Sequence, residues 1–277
     1  MSGLRDWIRR IADSAIKRFP APSARLACHV LQLEHETGQL PDEAATRLET
    51  LSRAVAARDG DADPGVDRQE SYAQEGEDLI VARLVGDKRD GFYVDVGAHH
   101  PVGHSNTYRL YRRGWRGINI DATPGSMERF RRVRPRDINV ECLVAADTAS
   151  RPFNILSEPA LNTASRPLAE QRRAENPQYR VTGTVTLQPR TLASILREHL
   201  PAGQTIDLMS VDVEGLDLEV LRSNDWQTYR PGILLVEVLA TALDALENNE
   251  IVRFLRAQSY KPVAKLYNTV IFTAGRL

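Results

Sequence analysis

The chain has 277 residues, 42% of them hydrophobic, which is enough to bury one sizeable α/β domain and a smaller appendage. Its 36 basic and 37 acidic side chains leave a net charge of -1. The chain therefore has no overall positive field to attract a polyanion, and nucleic acid is not an expected partner. The two cysteines, Cys28 and Cys142, exclude a disulfide framework, and no apolar run approaches the roughly 20 residues that span a bilayer, so we expect a cytoplasmic protein.

The first 67 residues are predicted to be a helical extension. Apolar residues recur at helical spacing from Leu4 to Phe19, opposite a face rich in arginine and lysine, and two more helices are predicted over 23–36 and 42–58. The basic amphipathic helix could lie on an anionic membrane surface, or pack on the protein or on a second subunit. A stretch dense in glycine, aspartate and proline over 58–66 predicts a linker, with the domain boundary between residues 67 and 68.

Residues 68–277 alternate between short apolar runs and helical stretches, which predicts a parallel sheet covered on both faces. The predicted strands are Phe92–Val96, Gly117–Ile120, Ile138–Ala145, Ile206–Val211 and Ile233–Val238. The predicted helices are Ser105–Arg113, Gly125–Arg134, Thr191–His199, Leu216–Ser223 and Ala242–Gln258. Two last runs, 262–267 and 269–274, are joined too tightly for a crossover helix and must form an antiparallel hairpin. The fold class is therefore α/β, a Rossmann-like doubly wound sheet with a C-terminal hairpin, as in class I methyltransferases.

The first polar segment, Ser71–Ile80, carries Gln74, Glu75, Glu77 and Asp78 ahead of an apolar run. This pattern is typical of an amphipathic helix that covers a pocket, and equally of a solvated helix face. Two polar pairs, Asn162-Thr163 and Asn268-Thr269, could hold acceptor hydroxyls or form turns.

The strand Phe92–Val96 ends in a candidate ligand-binding turn. Asp95 is followed by Gly97, and glycine at the carboxyl end of a strand lets a ligand approach the backbone. The Asp-x-Gly spacing resembles methyltransferase motif I, although an ordinary strand-to-helix turn would look the same. His99 and His100 follow, and either could be a general base or only bond backbone. The dinucleotide fingerprint is absent, because position 99 is histidine and position 102 is valine.

Carboxylates end the later strands as well. Asp121 could accept both ribose hydroxyls of a nucleoside, or cap the helix that follows. Asp212 and Glu214 lie on one side of an extended segment, where they could supply a base or cation ligands, or cap the next helix. Glu237 could join Asp212 in binding Mg²⁺, which would acidify a sugar diol.

Several segments, in this order, resemble the FkbM-type methyltransferases, and the resemblance runs from Ser71 to the C-terminus. The segments are Ser71-Tyr-Ala-Gln-Glu-Gly-Glu-Asp78, Tyr93-Val-Asp-Val-Gly-Ala-His-His100, Gly114-Trp-Arg-Gly-Ile-Asn-Ile-Asp-Ala122, Glu158-Pro-Ala-Leu-Asn-Thr163 and Ser210-Val-Asp-Val-Glu-Gly215.

The resemblance implies an O-methyltransferase that uses S-adenosylmethionine (SAM) on hydroxyls of sugars or natural products. It implies that Asp95, Gly97 and Ala98 line the methionine end of SAM, that Asp121 with Ala122 binds the nucleoside end, and that Asp212 and Glu214 lie near the transferred methyl group. Gln74 and Glu75 are expected to close over the cofactor.

We therefore expect methylation of a hydroxyl on a saccharide, such as a surface glycan, a glycolipid or a glycosylated natural product. A nicotinamide-dependent oxidoreductase on a similar sheet is an alternative, against which the missing glycine fingerprint and the hairpin speak. A non-catalytic SAM-binding module is another, which the clustered carboxylates disfavour. We also expect a homo-oligomer or peripheral membrane contact through the N-terminal helices.

Overall fold

The computed structural model describes residues 69–239 and 241–275. The helices expected before the linker, the linker and the predicted boundary between residues 67 and 68 lie outside the described residues. From Ser71 onwards the described chain forms one compact unit. None of its helices is long and apolar enough to cross a membrane.

A seven-stranded sheet forms the centre of this unit, with the strand order β3-β2-β1-β6-β7-β9-β8. Strands β3, β2, β1, β6 and β7 pair in parallel, and β9 runs antiparallel to both of its neighbours. Strands β4 and β5 pair separately as a two-stranded antiparallel sheet. The strands are β1 Phe92–Val96, β2 Arg116–Asp121, β3 Ile138–Glu141, β4 Arg151–Leu156, β5 Val181–Leu187, β6 Leu208–Val211, β7 Ile233–Glu237, β8 Lys261–Lys265 and β9 Thr269–Thr273.

Helices cover both faces of the large sheet, because its central strands are apolar on both sides. Residues of α5, α6 and α7 pack in one buried cluster with β1, β6 and β7, and residues of α1 and α2 pack in a second. The α-helices are α1 Glu77–Val85, α2 Tyr108–Arg112, α3 Ser126–Val133, α4 Arg166–Glu175, α5 Leu192–His199, α6 Asp217–Arg222 and α7 Glu250–Ala257. Short 3₁₀ helices span Pro159–Leu161 and Leu243–Asn248.

The predicted doubly wound sheet and its C-terminal hairpin are confirmed, with changes at element ends. The helix predicted over Ala242–Gln258 is divided, because Asn249 leaves the helical conformation and caps α7 by accepting from the backbone N–H of Ile251 at 2.9 Å. The strand predicted over Ile138–Ala145 stops at Glu141, and Val144 makes only an isolated bridge to Arg190.

Elements β4, α4 and β5, which are inserted between β3 and α5, were not predicted from the sequence. Strand β5 is exposed over most of its length, and α4 is rich in charge and buries only Ala169. Neither element carries the strong apolar periodicity from which the other elements were predicted.

Two carboxylates of the acidic segment before β1 make structural hydrogen bonds. Glu77 and Asp78 are buried at the start of α1. Asp78 accepts from the Ser71 hydroxyl at 2.6 Å and from the Tyr72 backbone N–H at 2.9 Å, and Glu77 accepts from the Thr269 hydroxyl at 3.0 Å. Asp78 thus holds the segment that precedes α1, and Glu77 links the start of α1 to the start of β9.

Candidate functional site

A pocket opens where the carboxyl ends of β1, β2 and β6 meet. Ligands of open α/β sheets bind at this position, where the strand order reverses direction. Six of the residues predicted for the site line it, namely Gly97, His99, Asp121, Ala122, Asp212 and Glu214. The structure thus brings these six residues together, and their roles as cofactor or catalytic residues remain predictions.

Gly97 is required by the close approach of β1 and β6. Its φ of 83° lies in the left-handed region, and a Cβ atom at this position would lie 1.6 Å from the carbonyl oxygen of Asp212. The Gly97 N–H also bonds the carbonyl of Ile120 at 2.9 Å. The turn thus holds the ends of β1, β2 and β6 together and leaves no room for a side chain.

Asp121 is buried beside this turn. Its Oδ2 accepts from the backbone N–H of His99 at 2.9 Å, and its Oδ1 accepts from that of Thr123 at 2.7 Å. It does not cap α3, whose N-cap is Gly125. Since a carboxylate offers about four acceptor positions, Asp121 keeps capacity for the two hydroxyls of a ribose.

Three carboxylates converge near the carboxyl ends of β6 and β7, and two of them, Asp212 and Glu214, line the pocket. One oxygen each of Asp212, Glu214 and Glu237 can be chosen so that all three lie within 4.8 Å of one another. Burial and mutual repulsion raise the pKa of Asp212 well above its usual value and that of Glu237 to about 10. Asp212 Oδ1 and Glu237 Oε2 are buried and find no hydrogen-bond partner among the described residues. Such a cluster can hold protons or a hard cation.

Asp217, and neither Asp212 nor Glu214, accepts the backbone N–H groups before α6. It accepts from the backbone N–H groups of Val213 at 3.1 Å and Gly215 at 3.2 Å. Burial raises its pKa to about 6. Because Asp217 meets this structural need, Asp212 and Glu214 are left facing the pocket.

Glu214 is held from three directions. Its φ of 56° is uncommon for a residue with a side chain, its carbonyl accepts from the Thr163 hydroxyl at 2.7 Å, and its carboxylate forms an ion pair with Arg172 of α4. Burial raises its pKa to about 7 although Arg172 opposes that shift. A carboxylate with this pKa can exchange a proton near neutral pH.

The two candidate histidines have different surroundings. His99 has a φ of 51° and lines the pocket beside Asp121, and burial lowers its pKa. His100 accepts at Nδ1 from the backbone N–H groups of Val102 at 3.1 Å and Gly103 at 2.9 Å. Only His99 is thus among the residues that line the pocket.

Four residues predicted to bind the cofactor lie outside the pocket lining. Asp95 is buried and accepts from the Thr107 hydroxyl at 2.6 Å, and burial raises its pKa. Ala98 packs in a small cluster under α3. Glu75 accepts from the backbone N–H of Asn268 at 3.0 Å, and Gln74 is exposed. Their contact with a cofactor is not tested and stays a prediction.

The inserted region also supplies pocket residues, among them Asn162, which the sequence suggested as a group for acceptor hydroxyls or a turn residue. Asn162 is buried, accepts from the Leu156 N–H at 2.8 Å and donates to the Thr123 hydroxyl at 3.2 Å. Phe153 and Ala160 join Leu143 in an apolar wall. The cavity volume is about 50 Å³. The run Glu158–Thr163 within the resemblance was the available signal.

The residues present fit SAM in chemical character. An acidic group remains available for a ribose, an apolar wall suits an adenine, and a side-chain-free turn adjoins buried acids suited to a cationic sulfonium. The antiparallel strand inserted into an otherwise parallel sheet, together with this pocket, defines a class I methyltransferase.

The particular family follows from the sequence of the same region. Residues 95–262, more than half of the chain, match the model of the methyltransferase FkbM domain. The chain therefore belongs to the FkbM methyltransferase family, and it is a SAM-dependent methyltransferase. A comparison with curated proteins found no match.

Similar solved structures are distant. A precorrin-6y C5,15-methyltransferase from Geobacter metallireducens is 13% identical, with a TM-score of 0.35 over 76% of this chain and 93% of that one. A TehB-like SAM-dependent methyltransferase from Corynebacterium glutamicum is 12% identical, with a TM-score of 0.35 over 81% of this chain and 98% of that one. Because these values are low, the fold assignment rests on the strand order and not on these likenesses.

Proposed function

We propose that the chain transfers a methyl group from SAM to a hydroxyl of a sugar or glycan. The observation that carries this proposal is Glu214, a partly buried carboxylate at the pocket with a pKa of about 7. A hydroxyl oxygen becomes a competent nucleophile only when a nearby group takes its proton, and a base is most effective when its pKa lies near the working pH.

The cofactor site is proposed to be the pocket at β1, β2 and β6. Asp121 would accept the ribose hydroxyls, Ala122 would lie against the nucleoside, and Gly97 would let the methionine end approach the backbone. When bound, SAM supplies a methyl group carried on a positively charged sulfur. The sulfur is the leaving group and keeps the electron pair of the broken bond. Asp212 and Glu214 would lie near the transferred methyl group, on the side where the acceptor hydroxyl must approach.

The chain's own residues would then orient the acceptor and remove its proton. Glu214 would accept the hydroxyl proton as the oxygen forms its bond to the methyl carbon. His99 is a second candidate base, because it lines the same pocket and its lowered pKa keeps it neutral at pH 7.

The unpartnered oxygens of Asp212 and Glu237 allow two states of the acid cluster. Either the cluster retains protons, or it binds a divalent cation such as Mg²⁺ that would also bind and acidify the acceptor. Loss of activity in EDTA, restored by Mg²⁺, would favour the cation, and full activity in EDTA would favour the protonated cluster.

Cofactor binding is the first test of the proposal. SAM is expected to raise the melting temperature of the full chain and NAD to leave it unchanged, since only a ligand of the folded state stabilises it. Asp121→Ala should weaken SAM binding about 10-fold or more, as expected when hydrogen bonds to a charged group are lost.

Transfer chemistry is the second test. Incubation with methyl-labelled SAM and candidate glycans, read by mass spectrometry, should give a product labelled on oxygen. Asp212→Ala should lower turnover about 100-fold or more while SAM still binds. Label found on carbon or nitrogen would contradict O-methylation, and unchanged turnover in the variant would remove Asp212 from the mechanism.

The location and assembly of the protein are also proposals. A cytoplasmic enzyme that self-associates, or that touches the membrane through its basic N-terminal helix, agrees with the balanced charge and the sequence of residues 4–19.

A further inference from the structure

A second and wider depression lies near the acid cluster. It is bounded by α4, by the segment that follows β7 and by the turn between β8 and β9. Its volume of about 560 Å³ falls within the range of small-molecule sites, about 300 to 1,000 Å³. We call this depression the α4 cleft. Its lining includes Leu168, Arg172, Leu243 and Tyr267.

The α4 cleft concentrates the exposed apolar surface of the domain. Among the described residues, only three large hydrophobic side chains are exposed, and two of them, Leu243 at 73% and Tyr267 at 87%, line this cleft. The third, Val181, belongs to β5. An exposed aromatic ring beside a cleft is expected where it covers the apolar face of a ligand.

The polar groups of the α4 cleft suit a neutral polyol. The amides of Gln171 and Asn268 each carry donors and an acceptor, as neighbouring hydroxyls do. The charged groups of the cleft already have partners. Lys265 Nζ donates to the carbonyl of Leu266 at 2.8 Å, and the Glu175 carboxylate accepts one N–H of Gln171 at 2.7 Å. A sugar ring offers this combination of an apolar face and a hydroxyl rim.

Arg172 connects the α4 cleft with the cofactor pocket. Its side chain lines the cleft, and its guanidinium bonds the Glu214 carboxylate, which lines the pocket. Because Thr163 fixes the Glu214 carbonyl, and Leu168 lies against Gly215, the turn at 214–215 cannot easily shift.

We propose that the α4 cleft receives the acceptor saccharide and that Arg172 is a positioning residue that holds Glu214 between acceptor and methyl donor. This inference rests on the proposed function. In the step it serves, the acceptor hydroxyl gives its proton to Glu214 and its oxygen forms the bond to the methyl carbon. The sulfur–methyl bond breaks, and its electron pair stays on sulfur.

Acceptor binding is tested with the full chain saturated with S-adenosylhomocysteine and a panel of methyl glycosides, observed by saturation-transfer difference NMR. At least one glycoside should give signals that fall about fivefold or more in Tyr267→Ala, as for an aromatic contact residue. Val181→Ala removes the exposed residue outside the cleft and should leave them unchanged. No signal from any glycoside, or signals that survive Tyr267→Ala, would overturn the assignment of the cleft.

The role of Arg172 is tested by steady-state kinetics with a methyl glycoside that gives signals in the binding experiment. Arg172→Met should lower kcat about 10-fold or more and leave SAM affinity unchanged, because a displaced Glu214 is no longer aligned with the acceptor hydroxyl. Arg172→Lys should restore most of the loss. Arg173→Met, an exposed neighbour on α4, is the matched control. An unchanged kcat in Arg172→Met would refute the positioning role.

Calorimetry of SAM on the same samples separates the two levels of proposal. Failure of the wild-type chain to bind SAM would defeat the proposed function itself. SAM binding without any glycoside effect at Tyr267 would defeat only the cleft.

Discussion

Individual residues at the pocket adopt backbone conformations that side chains normally avoid. Among the described residues, four that are not glycine have positive φ, and two of them, His99 and Glu214, line the cofactor pocket. Such conformations cost of order 1–3 kcal/mol each and persist where the surroundings impose them. Here the bonds of Asp121 to His99 and of Thr163 to Glu214 impose them.

Gly97→Ala tests the contact between β1 and β6. The added Cβ would meet the Asp212 carbonyl at 1.6 Å in a left-handed conformation, so we expect a loss of unfolding free energy on the order of 1–3 kcal/mol and much weaker SAM binding. Urea denaturation and calorimetry measure the two effects. Gly183→Ala is the control, because a Cβ there meets nothing within 4 Å. Equal stability of the two variants would contradict the close approach.

Glu237→Gln tests the protonation of the acid cluster. Because the pKa is raised from 4.5 to about 10, the folded state binds this proton more tightly than the unfolded chain does. Stability from this group is full below pH 4.5 and falls as the pH rises towards 10, by at most about 1.4 kcal/mol per unit. The neutral amide has no such dependence.

The variant is therefore expected to gain stability relative to wild type between pH 6 and 9, as measured by denaturation in EDTA. The same series in Mg²⁺ is the comparison, because a bound cation would replace the proton and reverse the trend. A constant difference across pH in EDTA would show that Glu237 is ionised in the folded protein.

At the scale of elements, the loop after β1 is supported by Arg134 at the end of α3. This fully buried side chain donates to the Pro101 carbonyl at 2.6 Å, to the Ser105 hydroxyl at 2.6 Å and to the Thr107 hydroxyl at 2.8 Å. Thr107 in turn donates to Asp95. Asp95 thus belongs to a network that positions the glycine-bearing turn.

Arg134→Met removes the centre of this network. It should lower the unfolding free energy by about 3–5 kcal/mol, because a buried charged partner is lost and its acceptors stay unpaired. Thermal and chemical denaturation measure the change. Arg131→Met, on the exposed side of the same helix, should have little effect. A small loss in Arg134→Met would mean that water replaces the guanidinium.

The elements that the sequence predicted are those whose burial leaves a pattern. Strand β1 is buried at all five positions and reads as one apolar run around Asp95, and its predicted bounds are confirmed. Strand β5 is a mostly exposed run of threonine and valine, and α4 buries one alanine, so neither could be predicted. For the same reason Arg172 went unassigned: its partner Glu214 lies 42 residues away, a proximity that only tertiary packing creates.

At the scale of the whole molecule, the predicted helical extension should be separable from the methyltransferase domain. Removal of residues 1–67 is expected to leave SAM affinity unchanged, because the pocket is built from Val96 and residues after it. Calorimetry measures the affinity, and light scattering and vesicle sedimentation measure what the extension adds. Loss of SAM binding on truncation would contradict the predicted boundary.

The order of strands has a consequence for biosynthesis. Strand β9 lies inside the sheet, between β7 and β8, although it is made after both of them. While residues 269–273 are still within the ribosomal exit tunnel, β7 presents a bare edge and the acids at the start of α1 lack their hydroxyl partner on Thr269. The nascent chain therefore cannot close its sheet until β9 has left the exit tunnel, and in that interval the unpaired edge of β7 is the surface on which a chaperone should act.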